Sequence, residues 1–322
     1  MRTRPLGTTG LLVSEVGFGA WAIGGNLYGN SYGPTDDAVS RRALQEALDL
    51  GCTFFDTADV YGHGHSEELV GEVVGNRPDV VVATKVGGNF YRPHGVVMDF
   101  SPRYIRFACE QSLRRLRRDV IDLYQLHNPP LPFLFHPGFF AVLEDLQKEG
   151  KIRFYGVSIH APQEGMAALR TGRPAALQAV YNLLRQEMAV DLFPLAHQQG
   201  VGIIAREPLH NGFLTGKYTE DATFPPGDIR HLWPRAYIRR LVRAAEALRP
   251  LTSPQRSLAH LAIRFVLDNP AISVVIPGAK TPEQVRENMA ASALPPLTEE
   301  EKTYISRVLQ DWEGESPTPP GS

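Results

Sequence analysis

The chain has 322 residues, of which 43% are hydrophobic and 21% are charged, and its formal net charge is -2. This composition is ordinary for a globular protein with one large core. The even balance of charges excludes the basic footprint of a nucleic-acid-binding protein, and the apolar runs are too short to cross a bilayer. The N-terminus carries no secretory signal pattern, and Cys52 and Cys109 are the only cysteines. We therefore expect a cytoplasmic protein without disulfides.

Short runs rich in β-branched residues alternate with helical patterns along nearly the whole chain. Such alternation is typical of parallel βαβ units. Between the runs, apolar residues recur three and four positions apart, as in Val39, Ala43 and Ala47, which indicates helices that cover a sheet. Eight strands are predicted, and in chain order they cover residues 15–18, 53–56, 80–85, 121–127, 154–159, 177–182, 202–206 and 273–277.

Eight strands joined by helical crossovers favour a closed (β/α)8 TIM barrel of the α/β class. An open doubly wound sheet has fewer strands and a glycine-rich first turn, and the candidate turn at 17–22 lacks the third glycine. We predict a single barrel domain over residues 1–313, followed by a disordered tail over 314–322. Two long loops rich in glycine, proline and aromatic residues, 87–102 and 210–235, follow predicted strands and are expected to lie over a site.

Polar residues end three consecutive predicted strands, namely Asp56, Lys85 and His127. The C-terminal ends of barrel strands carry the active site. Tyr61 follows Asp56 by five positions, in a short loop that can fold over the barrel mouth. An ammonium beside a phenol favours phenolate, and a carboxylate bonded to that ammonium fixes its position. Taken alone, each of these four residues is better explained by a structural role. Their joint spacing predicts that Tyr61 donates a proton and that His127 stabilises charge on a substrate oxygen.

Three segments resemble a known family: 55–62 (FDTADVYG), 83–85 (ATK) and 121–129 (IDLYQLHNP). They are similar to the motifs of the aldo-keto reductases, over about residues 4–292. The resemblance implies a (β/α)8 barrel and an oxidoreductase that transfers a hydride between NADP(H), less often NAD(H), and a carbonyl or alcohol substrate such as an aldehyde, ketone or sugar. It also implies that Tyr61 is the general acid or base, with Asp56, Lys85 and His127 as its partners.

The resemblance also assigns cofactor contacts. Ser158 and Gln178 are expected to hold the nicotinamide carboxamide, and Tyr181 is expected to stack on the nicotinamide ring. Segment 208–217 resembles a loop that covers the pyrophosphate, and segment 276–288 resembles the strand end and helix that hold the adenosine half. The remaining expected contacts are Pro208, Leu209, Gly212, Leu214, Lys217, Gly278, Lys280, Gln284, Glu287 and Asn288.

Several departures from the family pattern bear on the cofactor. Ile159 stands where the family usually has Asn, which removes one expected hydrogen bond. Gly278 and Gln284 stand where some members carry a basic pair, while Lys280 and Arg286 can add charge for a 2′-phosphate. NADP(H) is therefore the expected cofactor, and NAD(H) stays open.

Two other functions stay open. A nicotinamide-binding regulatory subunit with little turnover would keep the cofactor contacts. An unrelated barrel, such as a metal-dependent isomerase, would bind no nicotinamide. His63 and His65 do not predict a metal site, because zinc needs three or four ligands and no acidic or cysteine partner is indicated. The expected partner is a small carbonyl or alcohol, not nucleic acid or membrane, and the sequence leaves its identity and the oligomeric state open.

Overall fold

The computed structural model describes residues 1–28, 31–93 and 95–313, so the tail predicted over 314–322 lies outside the described residues. The strands are β1 (Thr3–Pro5), β2 (Leu12–Ser14), β3 (Phe18–Gly19), β4 (Phe54–Asp56), β5 (Val81–Val86), β6 (Gly88–Asn89), β7 (Val97–Met98), β8 (Ile121–His127), β9 (Ile152–Ile159), β10 (Ala176–Val180), β11 (Gly202–Arg206) and β12 (Ile272–Ile276). The α-helices are α1 (Asp37–Asp49), α2 (His65–Val73), α3 (Pro102–Leu116), α4 (Leu131–Leu134), α5 (Ala141–Lys148), α6 (Pro162–Thr171), α7 (Leu192–Gln198), α8 (Arg235–Ala247), α9 (Leu258–Leu267), α10 (Pro282–Ala290) and α11 (Glu299–Glu313).

Eight of these strands form one parallel sheet in the order β3, β4, β5, β8, β9, β10, β11 and β12. Bridges from Val16 to Val275 and from Gly19 to Gly278 join the two ends of this order. The Gly17 N–H donates to the Val275 carbonyl oxygen at 2.8 Å across the same junction. The sheet therefore closes on itself, and the predicted (β/α)8 TIM barrel is confirmed.

The predicted strands 121–127 and 202–206 are found with the same bounds, and the other six barrel strands differ from their predicted bounds by one to three residues. The first begins at Phe18 and not at residue 15, where the Glu15 N–H donates to the Arg2 carbonyl oxygen at 2.9 Å. The sixth ends at Val180 and not at residue 182. There the Asn182 N–H donates to the Arg185 carbonyl oxygen at 3.1 Å and closes a turn.

Helices α1, α3, α9 and α10 each begin after a residue whose side chain accepts from a backbone N–H of the first turn. In α3, the Ser101 hydroxyl accepts from the Tyr104 N–H at 3.3 Å, and Pro102 occupies the first turn. A serine cap of this kind contributes about 1 kcal/mol. Ile105 and Cys109 lie one turn apart on the buried face of α3, which packs on the barrel. Within the described ranges, none of the helices combines the length and apolar character that a bilayer span needs.

The barrel interior changes character along its axis. Apolar side chains that include Phe54, Ala83 and Leu123 fill part of it. At the C-terminal ends of the strands the interior becomes polar, with a fully buried layer made of Asp56, Lys85, Gln125 and Gln178. Burying charged groups costs several kcal/mol unless they are paired and hydrogen-bonded. This layer is therefore the place to look for a site.

Candidate active site

The four predicted catalytic residues lie together at the C-terminal end of the barrel. Asp56, Lys85 and His127 lie on β4, β5 and β8, and Tyr61 begins a short 3-10 turn. Lys85 Nζ lies 2.5 Å from Asp56 Oδ1, 2.9 Å from the Thr57 carbonyl oxygen and 3.2 Å from the Tyr61 hydroxyl oxygen. All three ammonium hydrogens thus have an acceptor, which fixes the position of Nζ.

The turn after β4 brings Tyr61 back toward Lys85. Gly62 has a φ of 60° and His63 a φ of 53°, in the left-handed region that costs other residues free energy. A Cβ atom on Gly62 would lie only 2.1 Å from the Gly24 carbonyl oxygen, so only glycine fits this position. The sharp reversal at Gly62 is what lets the Tyr61 hydroxyl reach the ammonium.

Burial decides the protonation of the Tyr61 and Lys85 pair. It raises the pKa of Tyr61 above its ordinary value, against the lowering effect of Lys85 and with a further rise from Asp56. Burial by itself lowers the pKa of Lys85, but Asp56 and Tyr61 raise it above its ordinary value. The pair at neutral pH is therefore an ammonium beside a protonated phenol. The ammonium favours phenolate as the sequence suggests, yet the loss of water around the ring outweighs it.

His127 faces Tyr61 across the mouth of the barrel. The two ring centroids are 5.8 Å apart, and the planes meet at 82°. Burial lowers the pKa of His127 well below its ordinary value, and the positive charges of Lys85 and Arg206 lower it further. The imidazole is neutral at pH 7 and offers a single N–H donor.

Two buried glutamines hold the second oxygen of Asp56. Gln178 Nε2 donates to Asp56 Oδ2 at 2.7 Å, and Gln125 Nε2 donates to the same atom at 3.1 Å. Gln178 Nε2 also lies 3.2 Å from Gln125 Oε1. Gln125 is not among the residues predicted from the sequence. The available signal is a polar residue inside the apolar strand β8, two positions before His127 and so on the same face.

A cavity of about 940 Å³ opens at this cluster. Its volume lies in the range of small-molecule and cofactor sites. Trp21 and Trp233 also line it. The predicted site residues among its lining are Asp56, Tyr61, His127, Gln178 and Gly278.

Three lining residues carry a buried polar atom without a partner in the described part of the chain. These atoms are the acceptor Gln178 Oε1, the donor Arg206 Nε and His210 Nδ1. The rest of the Arg206 guanidinium is engaged, with the Ile159 carbonyl oxygen at 3.2 Å, His160 Nδ1 at 3.1 Å and the Glu207 carboxylate. Buried polar atoms are nearly always paired, so Gln178 Oε1 and Arg206 Nε fit a ligand that offers both an N–H and a carbonyl oxygen.

Comparison with known proteins agrees with this geometry. A model of the aldo/keto reductase family matches residues 15–310. This chain belongs to the aldo-keto reductase family. It is 33% identical over 320 residues to the aldo-keto reductase YhdN of Bacillus subtilis, with 97% of this chain and 94% of that protein covered. It is 34% identical over 308 residues to the NADH-specific methylglyoxal reductase of Escherichia coli, with 90% and 93% covered.

The solved structure of the glycerol dehydrogenase AKR11B4 from Gluconobacter oxydans has the same fold. It matches with a TM-score of 0.83 and 32% identity, covering 99% of this chain and 98% of that one. The predicted family is confirmed, and the protein is an NAD(P)H-dependent oxidoreductase.

The aldo-keto reductase places Ser158 and the 208–217 segment beside the cavity. The Ser158 hydroxyl donates to Asn128 Oδ1 at 3.0 Å, and Asn128 lines the cavity. In the following segment the lining is formed by Glu207, His210 and Asn211. Among the described residues, that lining does not include the predicted contacts of this segment, which are Pro208, Leu209, Gly212, Leu214 and Lys217.

The predicted contacts near β12 are bonded to the reductase itself. Gln284 Oε1 accepts from the Lys280 N–H at 2.8 Å. Asn288 Nδ2 donates to the Gly278 carbonyl oxygen at 3.3 Å. The exposed Glu287 accepts from the hydroxyl that caps α9, at 2.8 Å. Gln284 and Asn288 therefore shape the end of β12 and the start of α10 around Gly278, and Glu287 joins α10 to α9.

Lys280 joins the end of β12 to a segment near the N-terminus. Its Nζ donates to the carbonyl oxygens of Tyr32 at 2.7 Å, Gly33 at 3.4 Å and Pro34 at 3.2 Å. The Tyr32 hydroxyl donates to Asn211 Oδ1 at 2.7 Å. Segment 31–34 is thus tied to the loops on both sides of the cavity.

Tyr181 faces away from the cavity of the reductase. Gln178 and Val180 line the cavity, so the alternation of side chains along the chain turns Tyr181 outward. Its ring stacks on Phe265 with centroids 5.6 Å apart, and its hydroxyl accepts from Asn269 Nδ2 at 3.4 Å. This position does not fit stacking on a nicotinamide ring in the cavity.

His63 and His65 have other partners. His65 Nε2 lies 2.9 Å from Asp37 Oδ1. The His63 ring stacks between Tyr28 and Phe90, with centroids 3.9 Å and 4.8 Å away. Within 1–28, 31–93 and 95–313 there is no group of three or more His, Cys, Asp or Glu residues placed to hold a metal ion.

Proposed function

We propose that this reductase interconverts a carbonyl and an alcohol substrate with NADP(H), and that Tyr61 is its general acid and base. The observation that carries the proposal is the saturation of Lys85: its three N–H groups point to Asp56, Thr57 and Tyr61. The Tyr61 oxygen therefore accepts from Lys85, and its own proton is left for a substrate oxygen in the cavity.

Proton transfer follows from the charges around the phenol. With its pKa raised by burial, Tyr61 holds its proton at neutral pH and is ready to act as an acid. As the proton leaves, the ammonium of Lys85 at 3.2 Å stabilises the phenolate that forms. Asp56 keeps Lys85 charged and in place. In the reverse direction the phenolate takes the proton from the alcohol.

His127 has a separate role in this proposal. Its neutral imidazole donates one hydrogen bond to the substrate oxygen and so orients the carbonyl toward Tyr61. A neutral donor also leaves Tyr61 as the group with a proton to give. Preorganised donors of this kind commonly account for a hundredfold or more in rate, about 3 kcal/mol.

A nicotinamide cofactor fits the polar groups of the cavity and would supply the hydride. Both hydrogens of Gln178 Nε2 have partners, so its free Oε1 can accept from a carboxamide N–H, while Arg206 Nε can donate to a carbonyl oxygen. Ser158 holds Asn128 beside them.

NADP(H) is the proposed form because of the cations near Lys280. Burial lowers the pKa of Lys280, and although Asp228 opposes this effect, Arg230 and Lys217 add to it. A 2′-phosphate would relieve that repulsion.

The decisive experiment is the Tyr61→Phe variant, which removes only the hydroxyl. We expect carbonyl-dependent NADPH oxidation to fall about a thousandfold, while NADPH binding, followed by fluorescence, changes less than about twofold. The substrate panel holds an aldehyde, a ketone, an aldose and methylglyoxal with NADPH, and glycerol with NADP⁺; methylglyoxal and glycerol are included because relatives are named for them. Unchanged turnover in the variant would contradict the role of Tyr61. NADPH binding by the wild type without turnover on any substrate would favour a regulatory subunit.

We also propose a cytoplasmic location. Cys52 and Cys109 are both free and buried, as in proteins of reducing compartments. Fractionation of cells that express the protein at its natural level tests this location.

A further inference from the structure

Gln125 occupies the centre of the buried polar layer. It pairs with Lys85 in the ladder between β5 and β8, and its side chain lies between Asp56 and Gln178. It is fully buried. Within the described residues its side chain is hydrogen-bonded to Asp56 and Gln178 and not to Tyr61. Its amide is therefore placed to act on the reaction through Asp56.

The hydrogen bonds leave one orientation for this amide. An ionised carboxylate only accepts, so both glutamines turn their NH2 groups toward Asp56. Gln178 uses its second N–H on Gln125 Oε1 at 3.2 Å, which requires the oxygen of Gln125 to face Gln178. Asp56 Oδ2 thus receives two donors, and Oδ1 is the oxygen that meets Lys85 at 2.5 Å.

We propose that Gln125 is a positioning residue for proton transfer, because its hydrogen bond holds the Asp56 carboxylate and shares its charge, so that Lys85 stays directed at Tyr61. The inference rests on the proposed function of Tyr61. It concerns a residue that does not itself line the cavity and that is hydrogen-bonded to the lining residues Asp56 and Gln178.

The charges around Asp56 set the direction of the expected effect. Lys85 and Tyr61 face it from one side, His127 follows on the strand of Gln125, and Arg206 lies beyond them at the cavity wall. Without the Gln125 donor, the negative charge of Asp56 is shared with fewer groups and draws Lys85 more strongly. Less positive charge then reaches Tyr61, so its phenolate forms at higher pH.

The test compares Gln125→Met, which keeps the length and loses the amide, with Tyr124→Phe. Tyr124 is the neighbouring buried residue on β8, and its side chain lies on the other face of the strand. Its hydroxyl donates to the Ile105 carbonyl oxygen at 3.3 Å, and the substitution removes this hydrogen bond. Alcohol oxidation with NADP⁺ is measured from pH 7 to 11.5, using the substrate that the wild type turns over fastest, because burial raises the pKa of Tyr61 above its ordinary value. We expect Gln125→Met to lower kcat about tenfold and to shift the midpoint of the kcat profile upward by about half a pH unit. KM should change by less than about twofold, and Tyr124→Phe should leave the midpoint in place.

A second variant covers the case in which Gln125→Met does not fold. Gln125→Glu donates to Asp56 only while its carboxyl is protonated, so in carbonyl reduction with NADPH its activity should be nearest the wild type at low pH and should fall at a lower pH than the wild-type activity does. An unshifted midpoint in Gln125→Met, the same shift in Tyr124→Phe, or a wild-type profile in Gln125→Glu would overturn the role of Gln125. The Tyr61→Phe variant separates this failure from failure of the proposed function, because it tests Tyr61 without changing Gln125.

Discussion

Lys85 and Lys280 are each held by three oxygen atoms, but the oxygens differ in kind. Lys85 meets a carboxylate, a backbone carbonyl and a phenol, and its pKa is raised. Lys280 meets three backbone carbonyls of residues 32–34, and burial lowers its pKa. The first charge is neutralised inside the barrel. The second is held by backbone dipoles and has no carboxylate in direct contact among the described residues, so its charge is not neutralised.

The largest expected effect comes from removing the ammonium group of Lys85. Lys85→Met should reduce kcat about a thousandfold, because Tyr61 then loses its stabilising ammonium. It should also lower the free energy of unfolding by about 3–5 kcal/mol, since Asp56 is left buried without its cation. Steady-state kinetics and urea denaturation measure the two effects.

A double variant, Lys85→Met with Asp56→Leu, is the matched control. It should recover most of the stability and none of the activity. Recovery of activity in the double variant would show that the charge pair serves only the fold.

A neutral imidazole beside the cavity predicts a loss of stability in acid. Burial lowers the pKa of His210 from its ordinary 6.5 to about 4, so the unfolded chain binds a proton first as pH falls. Stability is therefore complete above pH 6.5 and declines between 6.5 and about 4, by about 3 kcal/mol from this residue. His127, whose pKa is also lowered by burial, should add to the decline.

The measurement is urea denaturation at several pH values. His210→Gln should flatten the decline, whereas His197→Gln, at an exposed histidine, should not. Equal slopes for the wild type and His210→Gln would mean that the imidazole is already protonated in the folded protein.

The smallest expected effect concerns the ammonium group of Lys280. Lys280→Met should weaken NADPH binding about tenfold, which is about 1.4 kcal/mol, and should leave NADH binding within about twofold. Fluorescence titration with both cofactors measures the difference. Lys217→Met, at an exposed residue nearby, should have a smaller effect on NADPH. If NADPH and NADH weaken equally, Lys280 holds segment 31–34 and does not read the phosphate.

The sequence predicts the barrel well where local signals suffice. The strand 121–127 is found with the same bounds, and Asp56, Lys85 and His127 meet because parallel strands end at one rim. The reach of Tyr61 also has a local cause in the glycine turn at Gly62. These features depend on alternation, capping and turn chemistry, all of which are written in short segments.

What the sequence missed depends on partners that are distant in the chain. Gln125 and Gln178 are 53 positions apart, and only the closed barrel brings them to Asp56. Tyr181 turns outward and stacks on Phe265, 84 positions away. Lys280 bonds to carbonyls 246 to 248 positions away. A linear pattern identifies these residues as polar or aromatic, but it does not show which way they face.

The hydrogen-bond cluster around Asp56 combines side chains from four strands, and this has a consequence for folding. β4, β5, β8 and β10 each contribute one side chain to the carboxylate cluster, and Gln178 comes from the second half of the chain. The charges of Asp56 and Lys85 can be fully satisfied only after both halves of the barrel have docked. Recovery of enzymatic activity after dilution from denaturant therefore reports the last step of barrel closure. It should be slower than the return of the helical circular dichroism signal.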